Sequence, residues 1–358
     1  MKRLILAINP GSTSTKIAVF EEEKNLFTKN VKHSVEELAK FPTIGEQYHY
    51  RKDAILEELK NNNIELSDIK IVIGRGGLTK PVKSGVYRVN DLMKKHLLEG
   101  YAGQHACNLG GLISDNIARS IGLPEAYIAD PGVVDELTDV ARIAGHPLFE
   151  RKTIFHALNQ KAVSRIYAKK IGRKYEELNL IVAHMGGGIS IGAHEQGEVV
   201  DVNEALDGEG PFSPERSGTL PMNQIIKVCF SGKYTQDEVM KMIVGKGGYV
   251  AYFGTNDAYE VEKRAQAGDA KAELLEEAMA YQVSKYIGEC AAVLKGKVDA
   301  IILTGGIAYG KPICERIKKY VSWIAPVEIY PGEDEMGALA MNALMVLDKQ
   351  VEIKNYGE

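Results

Sequence analysis

Cysteine is scarce and unpaired in this chain: four residues (Cys107, Cys229, Cys290, Cys314) are scattered over 358 positions with no C-x-x-C pair. That scatter offers neither a zinc site nor a disulfide framework, and it fits reduced thiols in a cytoplasmic protein. No apolar run approaches the roughly 20 residues that a membrane-spanning helix needs. Lysine and arginine together number 44 against 48 acidic residues, a formal net charge of -4, so there is no basic surplus to bind nucleic acid. Met1-Lys2-Arg3 leads straight into an apolar run too short for a signal peptide. The G-x-x-x-x-G-K-[ST] signature is missing, because Gly232-Lys233 is followed by Tyr234 and Gly310-Lys311 by Pro312. A P-loop NTPase is thereby excluded. No G-x-G-x-x-G follows the first apolar run, which leaves a Rossmann domain unsupported. Neither H-E-x-x-H nor a kinase H-R-D occurs, so any phosphate chemistry has to use a different cradle.

What is present reads as a soluble globular chain, 45% hydrophobic and 26% charged, long enough for two packed domains. Residues 4–20, LILAINPGSTSTKIAVF, form two short apolar runs around Asn9-Pro10-Gly11 and a hydroxyl-rich turn. Pro-Gly punctuation and run length predict a hairpin. Successive backbone N–H groups, the hydroxyls of Ser12 and Ser14, and the ammonium of Lys16 are the inventory of a phosphate cradle. A plain Ser/Thr-rich hairpin turn with a solvated lysine is the competing reading. Residues 178–202 repeat the arrangement: an apolar run, Gly186-Gly187-Gly188, a returning run, a polar turn and a third run. The same three-run unit at both places, about half a chain apart, predicts an internal duplication. A third glycine turn, Gly305-Gly306, ends the apolar run 300–304.

Between these landmarks the chain predicts helices over 51–60, 94–98, 108–121, 157–170, 225–230, 237–244, 260–266, 271–294, 314–320 and 336–347. Arg75 lies at the end of the run 68–73 among Gly74, Gly76 and Gly77, where glycines leave its reach unobstructed; a surface turn is the alternative. Asp130 ends another run at Asp130-Pro131-Gly132, either as a catalytic or magnesium-holding carboxylate or as a structural turn. His156 sits just before the helix 157–170, where it could face an anion or simply start the helix. Arg216 stands in a Gly/Pro/Ser-rich run, 207–221, with little predicted secondary structure, and loops of that length are often functional. Glu333, Asp334 and Glu335 open the closing helix, where acidic groups suit a helix N-terminus and one could also hold a metal.

Taken together, the paired units resemble the actin/Hsp70/sugar-kinase superfamily. More narrowly, Asn9-Pro-Gly-Ser12-Thr-Ser14-Thr-Lys16, His184-Met-Gly-Gly-Gly188-Ile-Ser190, the stretch 201–218 and Leu303-Thr-Gly305-Gly306 are similar to the acetate and butyrate kinase family. The stretch 201–218 looks like its butyrate branch. The resemblance implies an α/β fold of two duplicated actin-like (ribonuclease H-like) domains with an ATP cleft between them. The expected domains are 1–155 and 156–333, with a closing helix, about 334–358, returning to the first.

By the same resemblance Arg75, Asp130, His156 and Arg216 are catalytic, and His105 is a possible active-site or substrate group. Asn9, Ser12, Ser14, Lys16, His184, Gly186, Gly187, Gly188, Gly305 and Gly306 bind phosphate or nucleotide. Asp130 with Glu333 or Glu335 holds a metal. The family's acetate branch carries Asn where Gly187 aligns, which puts any side-chain role there in doubt. The implied cofactors are ATP and Mg2+, the partners a small carboxylate and a second copy of the chain in a homodimer or larger oligomer, with no nucleic acid or membrane. Independently of resemblance, two loop arginines favour an acceptor that is already an anion over a sugar, whose hydroxyl needs a base. The expected reaction is direct, reversible in-line transfer from ATP to a four-carbon acid. Acetate or propionate kinase, a sugar kinase and a non-kinase actin- or Hsp70-like ATPase are the alternatives.

Overall fold

The computed structural model describes residues 3–358. Twelve strands occur among them: β1 (Leu4–Pro10), β2 (Ser14–Glu21), β3 (Lys24–Lys32), β4 (Ile69–Arg75), β5 (Val86–Arg88), β6 (Tyr127–Ala129), β7 (Asn179–Met185), β8 (Ile189–Glu195), β9 (Glu198–Val202), β10 (Ala300–Gly305), β11 (Val327–Pro331) and β12 (Ile353–Asn355). The chain divides into two compact units. Unit 1 takes the chain up to Asp135 and again from Asp334 to Glu358, and unit 2 runs from Glu136 to Glu333.

Unit 1 is built on a seven-stranded sheet in the order β12-β5-β6-β4-β1-β2-β3. Leu4, Ile5, Leu6, Ala7 and Ile8 are all buried, the continuous apolar pattern of a central strand covered on both faces. β1 pairs antiparallel with β2, aligning Ala7 with Ala18 and Asn9 with Lys16, and parallel with β4. The helices Tyr48–Asn61 and Leu109–Ser120 add Ile55, Leu59, Leu109, Leu112, Ile113 and Ile117 to the core. The glycines around Arg75 have a structural reason beyond reach. A Cβ on Gly74 would lie 2.3 Å from the carbonyl oxygen of Gly110, and one on Gly110 would lie 2.1 Å from that of Arg75. The pair lets the helix Leu109–Ser120 press directly on the strand that ends at Arg75.

Unit 2 is built on a five-stranded sheet, β11-β10-β7-β8-β9. β7 pairs antiparallel with β8, β8 antiparallel with β9, and β10 runs parallel to both β7 and β11. This is strand for strand the order and direction of β6-β4-β1-β2-β3, so the duplication extends from three strands to five. The core is filled from the helix Ala270–Val293 (Leu275, Met279, Val283, Ile287) and from Ile313 and Ile317 of the helix Lys311–Val321.

The expected division at 155/156 and the one between the units, at 135/136, differ by one segment. Residues 136–155 pack with unit 2 through hydrogen bonds: Lys161 and the Val199 amide donate to Glu136, the Thr138 amide to the Val200 carbonyl, and Arg151 to Asp201 and Glu209. Periodicity placed the longer helices to within a few residues. It missed the short strands β5 and β12 and the six-residue helix Gly248–Phe253, elements whose pattern is set by tertiary pairing rather than by a repeat. No helix among the described residues is long and apolar enough to cross a membrane.

Candidate functional site

In unit 1 the hairpin turn is Gly11-Ser12-Thr13, closed by a Gly11 amide donating 2.7 Å to the Ser14 carbonyl. Ser12 and Lys16 are exposed and Asn9 and Ser14 half-buried. Asn9 and Lys16 oppose each other across the β1–β2 ladder, so their side chains leave one face of the sheet side by side. The loop rests on a residue that sequence reading placed in a helix without a role. Arg51, fully buried, donates to the carbonyls of Gly11 (2.7 Å), Ser12 (2.8 Å) and Ser14 (3.1 Å) and to the Thr15 hydroxyl (3.2 Å). One guanidinium thus collects the loop's carbonyls. Burial lowers its pKa to about 10, which leaves it charged at neutral pH. An arginine in the first turn of an amphipathic helix looks like any solvated residue, so no sequence signal marked it.

Arg75 ends β4 and its Nη1 lies 2.8 Å from Glu335 Oε1. The other Glu335 oxygen accepts from the Asn9 amide, so Asn9, Glu335 and Arg75 form one connected group. Arg75 pairs in register with Ala129, which puts Asp130 at the adjoining strand end. Asp130 is buried, with φ +37°, a conformation costly for a non-glycine residue. Its Oδ1 accepts from Ser84 Oγ (2.7 Å) and the Gly85 amide (2.8 Å), which hold the carboxylate in one orientation. His105 accepts from the Cys107 amide through Nδ1 (3.2 Å), and partial burial and then the Arg75 charge keep its pKa below the ordinary value.

In unit 2 the equivalent turn is Gly186-Gly187-Gly188, closed by a Gly186 amide donating 3.0 Å to the Gly188 carbonyl. Here the loop brings no side chains and other segments supply them. Ser213 Oγ donates to the Gly187 carbonyl at 2.5 Å. The Arg216 guanidinium lies so close that a Cβ on Gly188 would sit 1.7 Å from its Nη1. Arg216 Nη1 donates to the Ala205 carbonyl at 2.6 Å, its Nε is buried without a hydrogen-bond partner, and burial lowers its pKa.

His156 immediately precedes the helix Ala157–Lys170, but its side chain does not cap it: Nδ1 lies 2.9 Å from Ser190 Oγ. The ring stacks on His184, centroids 3.7 Å apart and planes within 9°. His184 is buried, with Nδ1 2.7 Å from Asn159 Oδ1 and Nε2 3.1 Å from Glu333 Oε1. The three consecutive carboxylates therefore separate: Glu333 meets His184, Asp334 caps the closing helix through the Gly337 amide, and Glu335 joins Arg75 and Asn9. Gly305, with φ +87°, lies where a Cβ would be 2.3 Å from the Met185 carbonyl, and it exchanges two backbone hydrogen bonds with Gly332, one residue before Glu333. Beside Gly306 a pocket of about 290 Å³ is lined by Tyr249, Tyr259, Glu262, Glu276, Ile307 and Ile313, a mixture of aromatic, apolar and acidic side chains.

Among the described residues no cluster of three or more His, Cys, Asp or Glu is placed to hold a metal unaided. Asp130 and Glu335 are oxygen donors of the kind Mg2+ accepts, and Mg2+ completes its shell with water and substrate phosphate, needing only one or two protein carboxylates.

The acetokinase family model matches residues 145–319. Butyrate kinase 2 of Clostridium acetobutylicum is 58% identical over 99% of this chain and 100% of its own length. Butyrate kinase 1 of the same organism is 56% identical over 98% and 99% respectively. The crystal structure of Porphyromonas gingivalis acetate kinase superposes with a TM-score of 0.78 at 18% identity, covering 96% of this chain and all of that one, a likeness of fold. Full-length identity at this level, over a chain carrying the duplicated sheet and glycine turns just described, makes this protein a member of the acetokinase family.

Proposed function

We propose that this protein is a butyrate kinase: it transfers the γ-phosphoryl group of ATP directly to the carboxylate of butyrate or a branched four-carbon acid. A carboxylate oxygen forms the new bond to phosphorus as the bond to the ADP oxygen breaks, so the electrons of that bond leave with ADP. The acceptor carries no proton at neutral pH, so no base is needed. What the reaction needs is positive charge where two anions meet. Arg75 and Arg216 supply guanidinium groups, and His156 a ring nitrogen for the moving phosphoryl. The turns 11–13 and 186–188 supply amides for phosphate oxygens, and the pocket beside Gly306 takes the nucleoside. Asp130 and Glu335 are the residues we assign to Mg2+, which when bound would offset the negative charge of the phosphates. The single observation that carries the acid's identity is the 58% identity to a butyrate kinase over both whole chains.

Oligomerisation belongs to the same proposal. Met222 and Phe230, 75% and 87% exposed on unit 2, support a self-association surface, which sedimentation would test. A cytoplasmic setting, with ATP at hand and thiols reduced, completes it. The experiment is acyl phosphate formation from ATP and Mg2+, trapped as hydroxamate, across acetate, propionate, butyrate, isobutyrate and valerate. A maximum of kcat/KM at the four-carbon acids is expected. A maximum at acetate or propionate would reassign the substrate, and no acyl phosphate from any acid would overturn the reading.

A further inference from the structure

Behind His156 runs a continuous line of buried side chains that the reaction as described does not use. Ser190 Oγ lies 2.9 Å from His156 Nδ1 and 2.8 Å from Gln160 Nε2. Gln160 Oε1 lies 2.9 Å from His194 Nε2, and His194 Nδ1 lies 2.7 Å from the Tyr175 hydroxyl. Gln160, Ser190 and His194 are each 0% exposed, and Tyr175 is 4% exposed. A buried polar chain of this kind stands only if every member is satisfied, which lets its protons be placed in turn.

The direction follows from one group that cannot change role. Gln160 Nε2 also donates to the main-chain carbonyl of Ser190 at 3.1 Å, and a carbonyl only accepts. The amide is therefore oriented with nitrogen toward Ser190 and oxygen toward His194. His194 Nε2 then donates to Gln160, and Nδ1 of the neutral ring accepts from Tyr175. Burial, and then the nearby Lys161 and Arg165, keep His194 neutral by holding its pKa well below the ordinary value. Ser190 Oγ accepts from Gln160 and, at 3.4 Å, from the main-chain amide of His156, which takes up both of its lone pairs, so its own single proton is directed to His156 Nδ1.

We infer that Gln160 and Ser190 are positioning residues that hold His156 in its Nε2–H tautomer, with Tyr175 and His194 anchoring the far end of a one-way donor chain. His156 then meets the transferring phosphoryl as a neutral N–H donor of fixed orientation. The inference rests on the reading of His156 as the phosphoryl-facing group. It extends that reading to four residues without contact to substrate. Space supports it: a Cβ on Gly192 would lie 2.7 Å from Gln160 Oε1 and 3.2 Å from His194 Nε2, so this position leaves no room for a side chain beside the chain of donors.

The test is a long-range proton–nitrogen correlation spectrum of the full-length enzyme labelled with 15N-histidine. His156 is assigned by its disappearance in His156→Ala, and His194 likewise in His194→Gln. Both rings are expected as Nε2–H tautomers at neutral pH. In Gln160→Leu and in Ser190→Ala the Nδ1–H form of His156 should appear. In both variants kcat for acyl phosphate should fall roughly 10–100-fold, with KM for ATP and for the acid unchanged. Ser190→Thr, which keeps the hydroxyl, should restore both tautomer and kcat. An Nδ1–H or mixed His156 in the wild-type spectrum would overturn the inference, as would Ser190→Ala or a folded Gln160→Leu that left tautomer and kcat intact. The wild-type spectrum decides even if Gln160→Leu does not fold. It also does so independently of turnover, so a failure to phosphorylate any acid would sink the proposed function without touching the tautomer result.

Discussion

Units 1 and 2 lay down the same five strands in the same order and reverse the same hairpin in three residues, yet they equip that turn in opposite ways. In unit 1 the turn carries its own side chains, and its carbonyls are gathered from below by the buried Arg51. In unit 2 the turn is bare glycine and the functional groups arrive from elsewhere, Ser213 and Arg216 from the long loop and His184 from the preceding strand. The difference teaches that the inherited element is the backbone turn at the end of a buried strand. The charge around it is assigned separately in each copy. A cation beneath a loop holds its carbonyls inward and frees its amides, whereas a cation pressed against a loop is itself available to a ligand.

The comparison breaks most sharply at the arginines. Arg75→Ala and Arg216→Ala should each lower kcat/KM by on the order of 10³-fold, the usual worth of a guanidinium at a phosphoryl-transfer centre, with the circular dichroism spectrum unchanged. Near-normal rates in either variant would remove that residue from the site. The two turns should then respond differently to one added methyl. At Gly188 the methyl would collide with Arg216, whereas at Gly11 the first atom met is the Ser14 carbonyl oxygen at 3.5 Å, an ordinary contact. Gly188→Ala should cost on the order of 10²-fold in kcat/KM, the scale expected for misplacing a group by about 1 Å, and Gly11→Ala much less. Equal losses would mean that Arg216 moves aside freely.

Arg51 tests the other half of the contrast. Arg51→Met keeps the stem and strands the carbonyls of Gly11 and Ser12, while the Ser14 carbonyl keeps only the Gly11 amide. A loss of about 2–3 kcal/mol in urea unfolding is expected, because charge-assisted hydrogen bonds inside the protein disappear. KM for ATP should rise with it. Unchanged stability would show that water satisfies the loop without the guanidinium.

How much of this was legible depended on whether a residue's role was local. Strands such as Leu4–Pro10 and turns such as Gly186-Gly187-Gly188 announce themselves through apolar runs and glycine, and their recurrence exposed the duplication. Glu333 and Glu335 were not separable by sequence, since two residues on one stretch differ only in which unit they contact. Arg51 and Gln160 were silent, because a buried hydrogen-bonding side chain on a regular element has the same sequence pattern as a solvated one, and Ser190 stood out only as part of the motif after the glycine turn, with no role attached. The glycines near Arg75 were read for the arginine's freedom, while Gly74 serves the approach of a helix 36 residues later, at Gly110.

The smallest effect sharpens the comparison in pH. In unit 1, burial and then the Arg51 charge lower the His33 pKa to about 4. The unfolded chain therefore binds this proton more readily, and the stability of unit 1 should fall as pH drops from about 6.5 through about 4. In unit 2, burial and then the neighbouring Asp207 charge raise Glu204 to about 7. Here the folded form holds the proton, so the contribution is complete below about pH 4.5 and is lost as pH rises through about 7. Each limb should amount to about 1 kcal/mol once partial solvent screening is allowed for. Hydrogen exchange read on peptides of each unit, corrected for the intrinsic rate, should show unit 1 loosening toward acid and unit 2 toward base. His33→Gln should flatten the first limb only and Glu204→Gln the second only. Parallel slopes in the two units would show that the buried groups titrate together, and the contrast between the copies would end at their loops.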